Sequence, residues 1–172
     1  MTAVLMGLLL ACGPGPETVA LQLSSDNPAV REDTARRARN FDSPEVIAGL
    51  IKALDDPSEK VRLLAIESLI LLDGTDAVPR LMEMILADDS AEVRKEAIDA
   101  LGRLKDARAV PALVAYLEAN EAGQPALNAI WALGQLGDMS ALPVLSRLRE
   151  NRDPYVAYNA NQALRRLRPE GS

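Results

Sequence analysis

The stretch VRKEAIDALGRLKDARAVPALVAYL, residues 93–117, contains two helical patterns separated by a short turn. In the first pattern, apolar residues recur at i, i+4, i+7, i+8 and i+11, which places them on one face of an α-helix. The second pattern begins around Val110-Pro111, and a helix tolerates proline in its first turn because the missing N–H has no partner there. The stretch therefore predicts a helical hairpin with one apolar face on each helix.

The same hairpin pattern recurs along the chain of 172 residues. Residues 61–85 align with residues 93–117 without a gap, at an offset of 93 − 61 = 32. Another copy follows residues 93–117, a further copy precedes residues 61–85, and a half copy lies at the end of the chain. A single hairpin cannot bury its apolar face, whereas stacked hairpins share one continuous core. We predict an all-α protein, an α-solenoid of about four and a half stacked helical hairpins.

These repeats resemble the HEAT-repeat superfamily, in particular the short HEAT-like repeats of the phycobilisome-lyase type. Residues 93–117 and their copies carry the resemblance, which covers residues 26–168. Arg31, Arg62 and Arg94 recur near the start of successive first helices. The resemblance implies a structural ladder, in which each arginine bonds loop carboxylates or carbonyls between layers. An anion-binding ladder is the alternative interpretation.

The N-terminus is apolar from Val4 to Leu10 and then reads Leu-Leu-Ala-Cys, ending at Cys12. This run is far shorter than the roughly 20 apolar residues of a transmembrane helix. It resembles the lipobox of bacterial lipoproteins, although no Lys or Arg precedes it. The resemblance implies lipid attachment at Cys12 and a location in the cell envelope. Gly13 resembles the sorting signal for an outer-membrane lipoprotein that faces the periplasm.

These resemblances divide the chain into four parts. They are a lipoprotein signal peptide (1–11), a tether with a possible helix remnant (12–25), the HEAT-like repeat domain (26–168) and a tail (169–172). The segment 19–23 fits either a preceding helix or an extended strand-like run. If the lipobox match is coincidental, the same repeat domain is a cytoplasmic protein.

Composition argues against several kinds of chemistry. The chain has no histidine, so the commonest acid–base group and the commonest transition-metal ligand are missing, and its single cysteine excludes an intrachain disulfide and a CxxC site. No phosphate-binding loop or nucleophile-elbow motif is present. The formal charge of −6 disfavours nucleic acid or anionic lipid as the main ligand. We therefore expect no enzymatic activity, no cofactor, no metal and no nucleic-acid partner.

The helical register around the single tryptophan predicts a surface feature. Ala129, Ala132, Leu133 and Leu136 fall on the apolar stripe, and Trp131 falls almost opposite, where the other repeats have polar residues. The same counting places three further side chains on the outer face of the last two repeats: Leu127, Tyr155 and Tyr158. We predict that these four form a convex, apolar partner-binding patch. The alternatives are that the C-terminal tail, residues 166–172, folds over them, or that the terminal unit twists and buries them.

The second helices show no ladder of one chemistry on their outward positions. Met82 and Met84 are candidates for an adaptable contact, although core filling by at least one is the simpler expectation. The predicted function is a non-catalytic protein-interaction or scaffold module, monomeric and attached to the membrane only through its N-terminal lipid. The alternative is a cytosolic HEAT-like regulatory subunit or a lyase-type enzyme subunit.

Overall fold

The computed structural model describes residues 15–167, which contain ten α-helices and no β-strand. The helices are α1 (Pro16–Gln22), α2 (Pro28–Ala38), α3 (Pro44–Ala53), α4 (Glu59–Leu71), α5 (Val78–Ala87), α6 (Ala91–Leu104), α7 (Val110–Ala119), α8 (Gln124–Leu136), α9 (Leu142–Leu148) and α10 (Pro154–Leu167). Short 3-10 turns at Thr75–Ala77, Ala107–Ala109 and Met139–Ala141 lead into α5, α7 and α9. The predicted all-α fold of HEAT-like hairpins, of the α-solenoid class, is confirmed.

The helices alternate as the repeat predicts. The first helices of the hairpins are α2, α4, α6, α8 and α10, and the second helices are α3, α5, α7 and α9. Each second helix has a proline within its first two positions: Pro44, Pro79, Pro111 and Pro143. Because the first helical N–H groups have no intrahelical acceptor, proline costs nothing there and fixes the start of the helix.

The chain divides into two compact units, with the boundary between Ser68 and Leu69. In the N-terminal unit, α1 packs against α2 and α3. A Cβ atom at Gly49 of α3 would lie 2.9 Å from Cδ1 of Leu23, so the two segments approach closely where the glycine stands. Residues 16–22 form an α-helix, so the helical interpretation of the segment 19–23 holds and the extended one does not.

In the C-terminal unit, α6, α8 and α10 pack side by side as one layer. The second helices α5, α7 and α9 form the other layer, and the core lies between the two. Ala129, Ala132 and Leu133 are fully buried, as their register predicts. Leu136 is only half-buried, because it is the last residue of α8, where the chain turns away through Gly137.

Candidate functional site

The three ladder arginines each bond the loop that precedes their own helix. In every case Nη1 donates to the carbonyl oxygen six residues earlier in the chain. These bonds, from Arg31 to Ser25, Arg62 to Asp56 and Arg94 to Asp88, measure 2.7, 2.9 and 2.6 Å. We call each such pair an arginine staple. Since buried or half-buried carbonyls need donors, the staples hold the loops in a fixed path.

Arg31 also links two successive repeats within the N-terminal unit. Its Nε and Nη2 donate to the two carboxylate oxygens of Asp56, at 2.5 and 3.1 Å, and Asp56 also accepts from the N–H of Ser58. Burial opposes ionisation of this carboxyl. The hydrogen bonds from Arg31 and Ser58, with the charges of Arg31 and Arg62, outweigh burial, so the pKa of Asp56 is lowered. The geometry is that of a paired, structural charge.

The predicted lipid-attachment residue, Cys12, lies outside the described residues, as does the tail, 169–172. Between Gly15 and Leu167, no helix is both long and apolar enough to cross a membrane. The same part of the chain has no group of three or more His, Cys, Asp or Glu side chains that could hold a metal ion.

The four residues of the predicted patch lie on the layer of first helices, on α8 and α10. Tyr155 and Tyr158 are 73% and 62% exposed. Leu127 and Trp131 are half-buried. We call these four residues the aromatic face.

Trp131 is half-buried because a glycine on the neighbouring helix leaves room for its ring. A Cβ atom at Gly102 of α6 would lie 2.6 Å from Cζ3 of Trp131 and 2.8 Å from Cα of Ala132. The indole therefore lies against α6 as well as facing outward. The register of α8 gives the direction of the side chain, and Gly102 sets how deeply it is covered.

Two shallow crevices flank the indole of Trp131. The first, the Asp99 crevice, has a volume of about 380 Å³ and is lined by Asp99, Gln124, Leu127, Asn128, Trp131 and Asn159. The second, the Arg166 crevice, has a volume of about 280 Å³ and is lined by Trp131, Tyr158, Asn159, Gln162, Ala163 and Arg166. Trp131 and Asn159 belong to both. The surroundings of the tryptophan are thus mainly polar, whereas the sequence predicted an apolar patch.

Side-chain amides hold this surface together. With the amide of Gln135 oriented to satisfy its neighbours, its oxygen accepts from Nε1 of Trp131 at 3.0 Å and from Nη1 of Arg166 at 2.5 Å. Arg166 belongs to α10, so Gln135 connects this helix to the tryptophan. The alternative prediction, cover by the tail of residues 166–172, includes Arg166 itself, and residues 168–172 of that tail lie outside the described part of the chain.

Sequence reasoning missed an apolar groove on the other layer of the C-terminal unit. The groove lies between α5 and α7, has a volume of about 460 Å³ and is lined by Pro79, Met82, Glu83, Leu86, Arg108 and Ala112. Met82 lines it half-exposed, whereas Met84 is buried in the core. A signal was present: the equivalents of Leu86 are acidic in the other repeats, at Asp55, Glu118 and Glu150.

Comparison with known proteins agrees with this architecture. A chain in the complex of CpcE and CpcF of phycocyanin lyase from Nostoc sp. PCC7120 is 26% identical, with a TM-score of 0.73. The match covers 91% of this chain and 66% of that chain, just under two thirds of its length. A designed armadillo repeat protein in complex with the peptide (KR)4 is 23% identical with a TM-score of 0.63, covering 88% and 81% of the two chains. That likeness shows the fold alone.

No curated protein sequence is significantly similar to the chain. The PBS lyase HEAT-like repeat matches residues 126–151. The family of HEAT repeats matches residues 16–91 and 47–124, which together span more than half of the chain. The chain therefore belongs to the HEAT-repeat family.

Proposed function

We propose that this protein is a non-catalytic scaffold that binds a protein partner through the aromatic face. The observation that carries the proposal is the pairing of two exposed tyrosines, Tyr155 and Tyr158, with the half-buried Trp131. Trp and Tyr are enriched among residues that dominate binding energy, because they supply a large contact area with few rotatable bonds.

The composition around the aromatic face supports protein binding. The neighbouring side chains are mostly amides, which donate and accept hydrogen bonds and adapt to different partners. This combination of aromatic anchors and adaptable amides is typical of binding loops in antibodies. One structurally similar protein, 26% identical, was solved in a complex with a second protein chain.

Photo-crosslinking tests the partner-binding face directly. A photoreactive amino acid at Tyr158 should capture a specific protein in the living bacterium, and the additional change Trp131→Glu should abolish the adduct. The same probe at Leu21, which is 76% exposed on α1, serves as the matched control. A pattern of adducts that is the same at both positions, or unchanged by Trp131→Glu, would remove the proposal.

The proposal includes a lipid anchor at Cys12 in the bacterial cell envelope, facing the periplasm. Its support is the short apolar run that ends at the chain's single cysteine. One acyl chain gives only marginal membrane attachment, and the two or three chains of a lipoprotein make it stable. Intact-mass measurement after expression in a Gram-negative bacterium should show loss of residues 1–11 and addition of acyl groups. The mass of the unprocessed chain would contradict the anchor, and Cys12→Ser is the control.

A second candidate is a subunit of a lyase-type enzyme. The likeness to a chain of phycocyanin lyase over 91% of this chain favours it. An assay of lyase activity toward phycocyanin, with this protein alone and mixed with the second lyase chain, distinguishes the two candidates. We expect no activity in either mixture. Activity above the background of the second chain alone would favour the enzyme subunit.

A further inference from the structure

We propose that the two crevices beside Trp131 bind an extended, carboxylate-bearing segment of the protein partner. This inference rests on the proposed function and specifies the chemistry of the partner at the aromatic face. Its three supports are the side-chain amides on the crevice walls, the close spacing of the crevices, and the charge of Arg166.

Of the four amides on the crevice walls, those of Gln124, Asn128 and Asn159 have one end committed and the other open. Nδ2 of Asn159 donates to the carbonyl of Tyr155 at 2.8 Å, which leaves its Oδ1 as an acceptor. The amides of Asn128 and Gln124 bond each other at 2.9 Å, and each has its second polar atom left over. A surface with both donors and acceptors matches the N–H and C=O groups of a peptide main chain.

The main chain of the partner is available for such bonds only when the segment is extended. In an α-helix the N–H and C=O groups bond each other, whereas an extended chain presents them to its neighbours. Side chains at i and i+2 of an extended segment lie on the same face, about 7 Å apart. Since the two crevices share Trp131 and Asn159 as lining residues, we assign each crevice to one of two alternate side chains.

Charge identifies the side chain that fits the Arg166 crevice. Asp99, at the first crevice, is already paired with Nε of Arg103 at 2.5 Å. Arg166 has no ion-pair partner within residues 15–167, and α8 contains no ionisable residue. A guanidinium presents a planar fork of donors that suits a carboxylate. The complementary group on the partner is therefore an Asp or Glu side chain.

A random octapeptide library displayed on phage and selected on the full-length protein tests this inference. We expect enrichment of peptides with an acidic residue at a fixed position. A synthetic peptide of the enriched sequence should lose about tenfold or more in affinity with Asn159→Ala or Trp131→Ala, by fluorescence anisotropy. Arg166→Glu should reverse the preference, so that the Lys counterpart of the peptide binds better than the acidic one. Leu86→Glu, on the α5–α7 groove, should leave the affinity unchanged.

Several results would overturn the inference. They are no enrichment, enrichment of basic peptides, or binding that is insensitive to both Asn159→Ala and Trp131→Ala in variants with native circular dichroism. Enrichment that appears only after removal of residues 168–172 would identify the chain's own tail as the occupant and would also overturn it. If crosslinking at Tyr158 still captures a partner while the library yields no acidic peptide, the proposed scaffold function stands. Only the inference of an extended, acidic segment is then wrong.

Discussion

The starts of α2, α4 and α6 differ in one respect from the start of α8. Each of the first three has an arginine staple, and α8 has Ala126 at the equivalent position. The residue before α8 is Gly123, which provides no side-chain cap. The fourth repeat thus lacks a staple, although Glu121 in its loop pairs with Arg147, and its helix α8 contains only neutral side chains. In the earlier repeats, charged arginines hold the loops in place. In α8, the neutral amides and the aromatic ring are available for recognition of a partner.

The largest expected effect lies at Asp56, a buried charge of the stapled repeats that is both ion-paired and hydrogen-bonded. Asp56→Ala removes the buried partner of Arg31 and the acceptor for the N–H of Ser58. We expect a loss of about 3 kcal/mol in the free energy of unfolding, measured by urea denaturation. Asp153→Ala is the matched control, because Asp153 accepts from the N–H of Tyr155 but has no ion pair among the described residues. It should cost about 1 kcal/mol. Equal losses would show that the pair with Arg31 adds nothing.

The second prediction concerns the loop before α8, which depends on backbone conformation. Gly123 has φ 84° and ψ 174°, a region that is essentially restricted to glycine. Gly123→Ala should therefore lower the free energy of unfolding by about 2 kcal/mol, although no side chain obstructs the new Cβ. Gly15→Ala, at a glycine with negative φ and open surroundings, should have little effect. A neutral Gly123→Ala would mean that this loop is easily rearranged.

The third prediction removes a single staple. Arg94→Met keeps the aliphatic stem but loses the bonds to the carbonyls of Asp88 and Asp89. We expect a loss of about 1.5 kcal/mol in thermal or urea denaturation. Arg103→Met, at an exposed arginine on the same helix, should cost under about 0.5 kcal/mol. If both substitutions cost the same, the staples are not what distinguishes the earlier repeats from the fourth.

The smallest expected effect is the change with pH in the stability that Asp56 contributes. The pKa of Asp56 is lowered in the folded state, so its contribution is complete above the unfolded value of about 3.9 and is lost as the pH falls through the folded value. The difference in stability between the wild type and Asp56→Ala should therefore shrink when the pH is lowered from neutrality. Thermal denaturation across this range measures it. A difference that stays constant would contradict the assigned pairing.

Much of the fold follows from the sequence because its determinants are local. The recurring apolar residues and the proline in the first turn of each second helix determine where both kinds of helix form, independently of tertiary packing. The depth of Trp131 does not follow in this way. It depends on Gly102, which lies one repeat earlier and opposes the indole only after α6 and α8 pack.

The staples and the α5–α7 groove show the same limit. The resemblance implied bonds from the arginines to loop carboxylates or carbonyls between layers, and the bond from Arg31 to Asp56 is of this kind. The acceptors common to all three staples are instead carbonyls of the loop just before each helix. Their position depends on the path of the loop, which residue patterns do not encode. The groove, in contrast, has a signal in the sequence, since Leu86 stands where the other repeats have an acidic residue.

Each staple joins a donor and an acceptor that lie six residues apart within one repeat. A duplication of the corresponding stretch of gene therefore copies both halves of the bond together, with no need for a compensating change elsewhere. Each stapled repeat thus contains both the donor and the acceptor of its own hydrogen bond. The number of repeats can change during evolution without breaking this hydrogen bond. A repeat without the arginine, such as the fourth, can carry a different surface.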